Sequence, residues 1–364
     1  MRPVVSFCLE MSPHPAFATL AITLFACGDG STTADSAGPA RRVEVTVDVA
    51  ANGFSEPLEL TVPDGTRSIT IIATGASDAV YALGSFQTPD GQEHVGIDLQ
   101  TAPGSAMRAS YDVEQIGQMP GALYQTIRLG TFTHIYPYRP GQTVAAGRAS
   151  LRIASDKPGP VKVTVLMPED DGGKTLHVNL VAVSETLTFA QPPSFLDELQ
   201  TLFAQAGITI VVDNAIELRA TGLSAITEST EPQESPVSMS ARLPALVADR
   251  FTNDALDIFV VDSLPSGIGG LSLGTPGPPL RGSYYYGLIV RRSANDSQLA
   301  IVIAHETSHF LALQHVTNVG VSGMVYPDPL DDTQPAQSNL MQSGSKLTPD
   351  QGFALSRSAL LRVQ

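Results

Sequence analysis

The sequence predicts a multidomain chain: an all-β domain of sandwich or jelly-roll type over residues 43–186, then an α/β domain over residues 187–364. Three observations carry this. Between 43 and 186, apolar residues recur with period two in short runs divided by Gly and Pro turns. From about 187, helical and strand patterns alternate. The length of 364 residues suits about two domains, and a composition 43% hydrophobic and 16% charged supports packed cores rather than disorder.

The first 26 residues read as an export signal. Arg2 supplies a positive charge, and "AFATLAITLFA" is an apolar run too short to anchor stably across a bilayer. The run ends in "LFAC", where Leu24, Ala26 and Cys27 resemble a bacterial lipobox, in which the cysteine is acylated and becomes the new N-terminus. A plain secretory signal with an incidental cysteine is the other reading, and translation can start at Met1 or Met11. Residues 27–42 are Gly-, Ser-, Thr- and Ala-rich and read as a flexible linker. The expected location is outside the cytoplasm, as an envelope lipoprotein or a secreted protein, with membrane contact through the lipid alone. Removal of the signal leaves Cys27 as the only cysteine, so stability must come from the core or a bound metal. A formal net charge of -15 argues against a nucleic-acid partner, because phosphates call for clustered Lys and Arg.

The β-rich elements follow in order. "VEVTVDV" (43–49) alternates strictly, and "SITIIAT", "SLRIAS", "VKVTVLM" and "HVNLVAV" extend the series, with "PDG", "KPGP" and "DDGG" as turns. In the second domain, "PPSFLDELQTLFAQAG" predicts a helix with Ser194 as N-cap, an apolar stripe of Leu196, Leu199, Leu202 and Phe203, and Gly207 as its stop. "ITIVV", "LDIFVVD" (256–262) and "YYYGLIV" (284–290) read as strands. Asn295 or Asp296 can cap the next helix. Thr348, Pro349 and Gln351 form a capping-box pattern for the last one.

The chemistry concentrates in "IAHETSHFLALQH" (303–315). Positions i and i+4 share a helix face, so His305 and His309 can point at one ion. Glu306 lies about 100° around the helix, where it can reach a metal-held water without being a ligand. Zinc brings the pKa of such a water to about 7, and a carboxylate can then take its proton. His315 would face about 240° away on a continuing helix, so it can be the third ligand only if the helix stops near residue 312. Ala312 occupies that turn, where glycine would meet no steric cost. No glutamate follows Glu306, which leaves Asp328, Asp331, Asp332 or Asp350 as the other possible third ligand. His94, His134 and His177 lie in the β-rich region and read as surface or strand histidines.

"HETSHFLALQH" followed by "SNLMQSG" resembles the metzincin superfamily of zinc endopeptidases, whose long motif is H-E-x-x-H-x-x-G-x-x-H with a methionine turn below the metal. "DDTQPAQSNLM" is similar to the pappalysin-like and matrixin-like members, and "LTPDQ" to the start of their last helix. The resemblance covers roughly residues 190–364. It implies a Zn2+ cofactor held by His305, His309 and His315, Glu306 as general base, and Met341 as the methionine of the turn, with Met324 a weaker candidate. "LDIFVVDSLPSGIGGLSLGTPG" resembles the central strand and substrate-binding edge strand, which assigns Gly269, Gly270, Leu271, Ser272 and Leu273 to a protein or peptide substrate. From composition alone, the same segment reads equally as a surface loop. Ala312 departs from the motif's glycine, and Ser343 stands where some members have a tyrosine ligand.

The expected activity is metal-dependent peptide hydrolysis. A surface lipoprotein with a binding role and a structural zinc site is the alternative. The β-rich region is open to three readings: an accessory module, a stalk, or an inhibitory pro-region cut near 186–194.

Overall fold

The computed structural model describes residues 41–96, 130–170, 172–184, 189, 193–219, 243–244, 247–251, 253–264, 267–283, 285–319 and 325–362. The signal segment, Cys27 and Met324 lie outside them. No helix among the described residues is long and apolar enough to cross a membrane. The chain is mostly β-sheet with few helices.

Eight strands precede residue 168: β1 (Arg41–Val49), β2 (Leu58–Val62), β3 (Ile69–Thr74), β4 (Tyr81–Gln87), β5 (Glu93–Gly96), β6 (Thr131–Tyr136), β7 (Gly147–Ser155) and β8 (Gly159–Met167). They form two four-stranded antiparallel sheets, ordered β1-β8-β3-β6 and β2-β7-β4-β5. One core joins the two sheets, with Ile69, Ile71 and Val163 from the first and Leu83, Phe86 and Leu151 from the second. The alternation of "VEVTVDV" appears as alternating exposure along β1, as expected for a strand with one face on a core.

β9 (Thr175–Val183) leaves these sheets. It pairs in parallel with β10 (Thr209–Leu218) on one side and β11 (Leu256–Val261) on the other. Beyond β11 come β13 (Leu288–Arg291), parallel to it, and β12 (Gly270–Ser272), antiparallel at the edge. β14 (Leu361–Arg362) pairs antiparallel with the start of β9 and completes six strands. β9 thus lies within the span 43–186 read as the all-β domain yet belongs to the six-stranded sheet, and "DDGG" (170–173) precedes it in the sequence. The near-continuous burial of β9 suits a strand covered on both faces.

Two helices cover one face, α1 (Leu196–Ala204) and α2 (Asp296–Leu311). Leu199, Phe203, Ile303 and Ala304 share a core there with Leu180, Ile258 and Leu288. Val181, Phe259 and Ile289 pack on the other face with Leu243, Val247 and Phe251. Helix α3 (Pro349–Ser356) carries the expected capping box of Thr348 and Gln351. Two local expectations change. Phe195, not Ser194, stands at the N-cap of α1 and makes no side-chain cap bond. The strand read at 284–290 begins only at Leu288, because Tyr285 takes a φ of 66° and breaks the extended run.

Candidate metal centre

Helix α2 starts where Asn295 Oδ1 accepts the Gln298 N–H at 3.2 Å, and ends at Leu311. Ala312 then takes a φ of 133°, which a residue with a Cβ rarely adopts. Its N–H still reaches the carbonyls of Ser308 and His309, and Leu313 N–H binds Ser308 O at 2.8 Å. These bonds satisfy the last carbonyls of the helix while the chain reverses. The reversal brings His315 back over the face that carries His305 and His309.

The three rings then converge. Nε2 of His315 lies 3.2 Å from Nε2 of His305 and 3.1 Å from Nε2 of His309. Nδ1 of His305 donates to Leu340 O at 2.7 Å, and Nδ1 of His309 donates to Leu313 O at 2.7 Å. A carbonyl can only accept, so both Nδ1 atoms carry the proton and both Nε2 atoms present lone pairs inward. The Nε2 lone pairs of His305 and His309 both face His315 Nε2 across this gap, an arrangement suited to a shared cation. Tetrahedral zinc with Zn–N bonds of about 2.0–2.1 Å needs ligand nitrogens roughly 3.3 Å apart; the two separations from His315 match that, and all three ligand nitrogens lie within 4.8 Å of one another. Burial holds His305 below its usual pKa, holds His309 well below it with help from its two neighbours, and brings His315 down to about 4. All three are therefore in the neutral, ligating form at neutral pH.

Glu306 is buried beside them. Its Oε2 accepts the backbone N–H of Ser272 at 2.7 Å. Burial pushes the carboxyl up to about 7, and the Ser272 bond partly opposes that rise. Gly270 makes this placement possible: a Cβ there would sit 2.5 Å from Glu306 Cγ.

β12 lies at the edge of its sheet, and Glu306 occupies part of that edge. Gly269 O accepts from Arg291 N–H at 2.8 Å, and Leu273 N–H donates to Gly287 O at 3.3 Å. With Leu271 opposite Ile289, the odd residues face β13 and the even ones face outward. Leu273 is buried in the core of the far sheet face, with Leu271 packed against that core. Of the two outward residues, Ser272 has its N–H committed to Glu306 and its hydroxyl to Gly274 O at 2.6 Å. The following loop is tied to α2, with Gly277 N–H on Phe310 O at 2.8 Å.

Met341 is fully buried. Its turn grips the site from two sides: Leu340 O holds His305, and Met341 O accepts Val316 N–H at 3.3 Å, one residue past His315. Asn339 shapes the turn by accepting Met341 N–H at 2.8 Å, and exchanges two side-chain bonds with Gln351 of α3 at 3.1 and 3.2 Å. Sequence reasoning singled out Met341 but missed Asn339, although a short amide before a buried turn is a known way to bind its own backbone.

Among the described residues, the group of three or more His, Cys, Asp or Glu able to hold one ion is His305, His309 and His315. The aspartates offered as third ligands lie outside it. Asp332 caps α3 through Thr348 Oγ1 at 2.7 Å and Asp350 N–H at 3.0 Å, and Asp328 accepts from the Thr333 hydroxyl. His134 is buried in β6 against Phe86. His94 lies in β5. His177 lies in β9, beyond the β-rich domain where it was expected, and pairs with Asp213 at 2.7 Å.

A second buried polar group was also missed. Asp257 of β11 is fully buried and forms a two-pronged pair with Arg281 at 2.7 Å on each prong, while Asn179 of β9 donates to it at 2.9 Å. An aspartate inside the apolar run "LDIFVV" is the signal that could have prompted a search for its partner.

No family model matches the chain, and no curated protein does. Solved structures do match. An archaemetzincin from Methanopyrus kandleri is 11% identical over 51% of this chain and 89% of its own, with a TM-score of 0.29. The metalloproteinase-II of Bacteroides fragilis is 12% identical over 53% of this chain and 57% of its own, with a TM-score of 0.32.

Proposed function

We propose that the protein is a zinc-dependent endopeptidase. The observation that carries this reading is the approach of His305 and His309 Nε2 to His315 Nε2 at 3.2 and 3.1 Å, with a buried carboxylate on the next residue of the same helix. His305, His309 and His315 would hold the ion. When bound, zinc supplies a Lewis acid that polarises a carbonyl and acidifies a water.

The chain's own groups do the rest. Glu306 Oε2 stays on the Ser272 amide, and Oε1 takes the proton from the attacking water, then returns it to the leaving amine. A carboxyl near pKa 7 suits both halves of that transfer. The Leu340 and Leu313 carbonyls keep His305 and His309 in the tautomer that ligates. A peptide backbone can lie along the outward edge beside Gly270, which carries no side chain of its own and has Glu306 packed against it, and pair with main-chain groups. A purely structural zinc site has no use for Glu306, which weighs against the binding-protein alternative.

Assays on casein or a peptide library test this. Cleavage should disappear after dialysis against a chelator and return with one equivalent of zinc. Zinc-loaded protein that cuts no peptide would count against it. The envelope placement rests on residues 1–27 alone. Cys27→Ser should shift the protein from the membrane fraction to the soluble one, and an unchanged distribution would remove the lipid anchor from the account.

A further inference from the structure

β6 is buried along its whole length because it lies between two cores. Phe132 and Tyr136 face the two-sheet domain. Ile135 and, just past the strand, Tyr138 join the core of the second domain with Leu313, Val316 and Met341. Tyr138 is fully buried there. Its hydroxyl is buried near the backbone of Gln314, with no hydrogen-bond partner within range among the described residues. Gln314 directly precedes His315, and Asp328 N–H holds Val316 O at 3.1 Å, directly after it. A side chain from the N-terminal domain thus backs the segment that returns His315 to the other two histidines.

The rest of the interface is equally committed. Arg67 is 4% exposed and donates to Gly173 O at 3.0 Å, Ser358 O at 3.2 Å and Leu361 O at 2.9 Å. The Ser68 hydroxyl binds Arg357 O at 2.6 Å, and Arg357 returns a bond to Arg67 O at 3.1 Å. Loss of the domain would strip these buried carbonyls of their donors. A cut at 186–194 would do more damage, since β9 lies before it and is flanked by β10 and β11 in the six-stranded sheet.

We propose that the two-sheet domain is a permanent half of the metal centre rather than a removable pro-region, and that Tyr138 is a positioning residue for His315. The proposal rests on the zinc reading above. Tyr138 shares the core behind Leu313–Val316, and the strained turn at Ala312 makes the position of His315 sensitive to that packing.

The test uses the full chain with Tyr138→Phe, Tyr138→Leu and Tyr138→Ala, checked for folding by circular dichroism. Zinc affinity is read by chelator competition, and ligand geometry by the visible spectrum of the cobalt-substituted protein. Tyr138→Phe should stay within about 3-fold of wild type, while Tyr138→Leu and Tyr138→Ala should bind zinc about 10- to 100-fold more weakly, with an altered cobalt spectrum. Should Tyr138→Ala fail to fold, Tyr138→Leu decides. Wild-type affinity and spectrum in folded Tyr138→Leu would overturn the proposal. So would active protein whose N-terminus lies near residue 187. Wild type that takes up no metal would instead sink the zinc reading itself, so the two failures are distinguishable.

Discussion

The carboxylate of Glu306 and the backbone N–H of Ser272 are joined at 2.7 Å, so the base of α2 is held by the edge strand beside it. The bond fixes one oxygen and leaves the other to act. It also removes an N–H that the edge would otherwise offer a substrate backbone. Positioning the base and pairing with a peptide therefore compete for the same short strand, β12 (Gly270–Ser272).

Gly270→Ala tests that grip. The added methyl would come within 2.5 Å of Glu306 Cγ and must push the side chain away. Because small displacements of a reacting group are costly, kcat should fall on the order of 10- to 100-fold with zinc content unchanged. Unaltered kcat would show that the contact does not position Glu306.

At Ala312, three effects compete. Glycine removes the strain of φ 133° but gives up a buried methyl, worth about 0.8 kcal/mol, and raises the entropy of the unfolded chain. Ala312→Gly should therefore stay within about 1 kcal/mol of wild type. A β-branched residue gains nothing and adds clashes, so Ala312→Val should lose about 2 kcal/mol or more and bind zinc more weakly. Chemical denaturation and chelator competition measure both. Equal stability of the Gly and Val variants would contradict the strained turn.

Asp328 gives a pH-dependent prediction. Burial pushes its carboxyl up to about 6, against hydrogen bonds from Thr333 and Leu330 N–H that pull it down. A raised folded pKa means the acid form suits the fold. The group is without cost below the unfolded value near 3.8 and becomes destabilising as pH rises through about 6. Asp328→Asn should therefore stabilise the protein by on the order of 2 kcal/mol at pH 7.5 and by little at pH 4. Thermal melts at the two pH values check this, and a gain independent of pH would contradict it.

Asp257 and Arg281 join β11 to the loop that follows β12. Asp257→Ala strands a guanidinium whose side chain is only 14% exposed and should cost about 3–5 kcal/mol. The double change Asp257→Leu with Arg281→Met should cost less than Asp257→Ala alone. Denaturation midpoints of the variants decide, and a double variant weaker than the single would show that the pair contributes net stability.

Much of the local structure was legible in the sequence. The helix stop at residue 312 followed from spacing, since His315 cannot otherwise face His309. The capping box of α3 and the Asn295 cap were readable because side-chain caps are local. What escaped was non-local. β9 looks like one more strand of the all-β region until its parallel partners, about 34 and 78 residues on, are known. The outward edge at 269–273 was readable as a strand, but not that α2 would occupy the Ser272 amide. Nothing in "YPYRP" shows that Tyr138 crosses into the other domain's core.

The most direct test of the account is Glu306→Gln, a change that keeps shape and removes the base. Zinc content and peptide cleavage should be measured on the same preparation. Zinc on His305, His309 and His315 should be undiminished, with cleavage down by about 10²- to 10⁴-fold. Cleavage equal to wild type in zinc-loaded Glu306→Gln would contradict it.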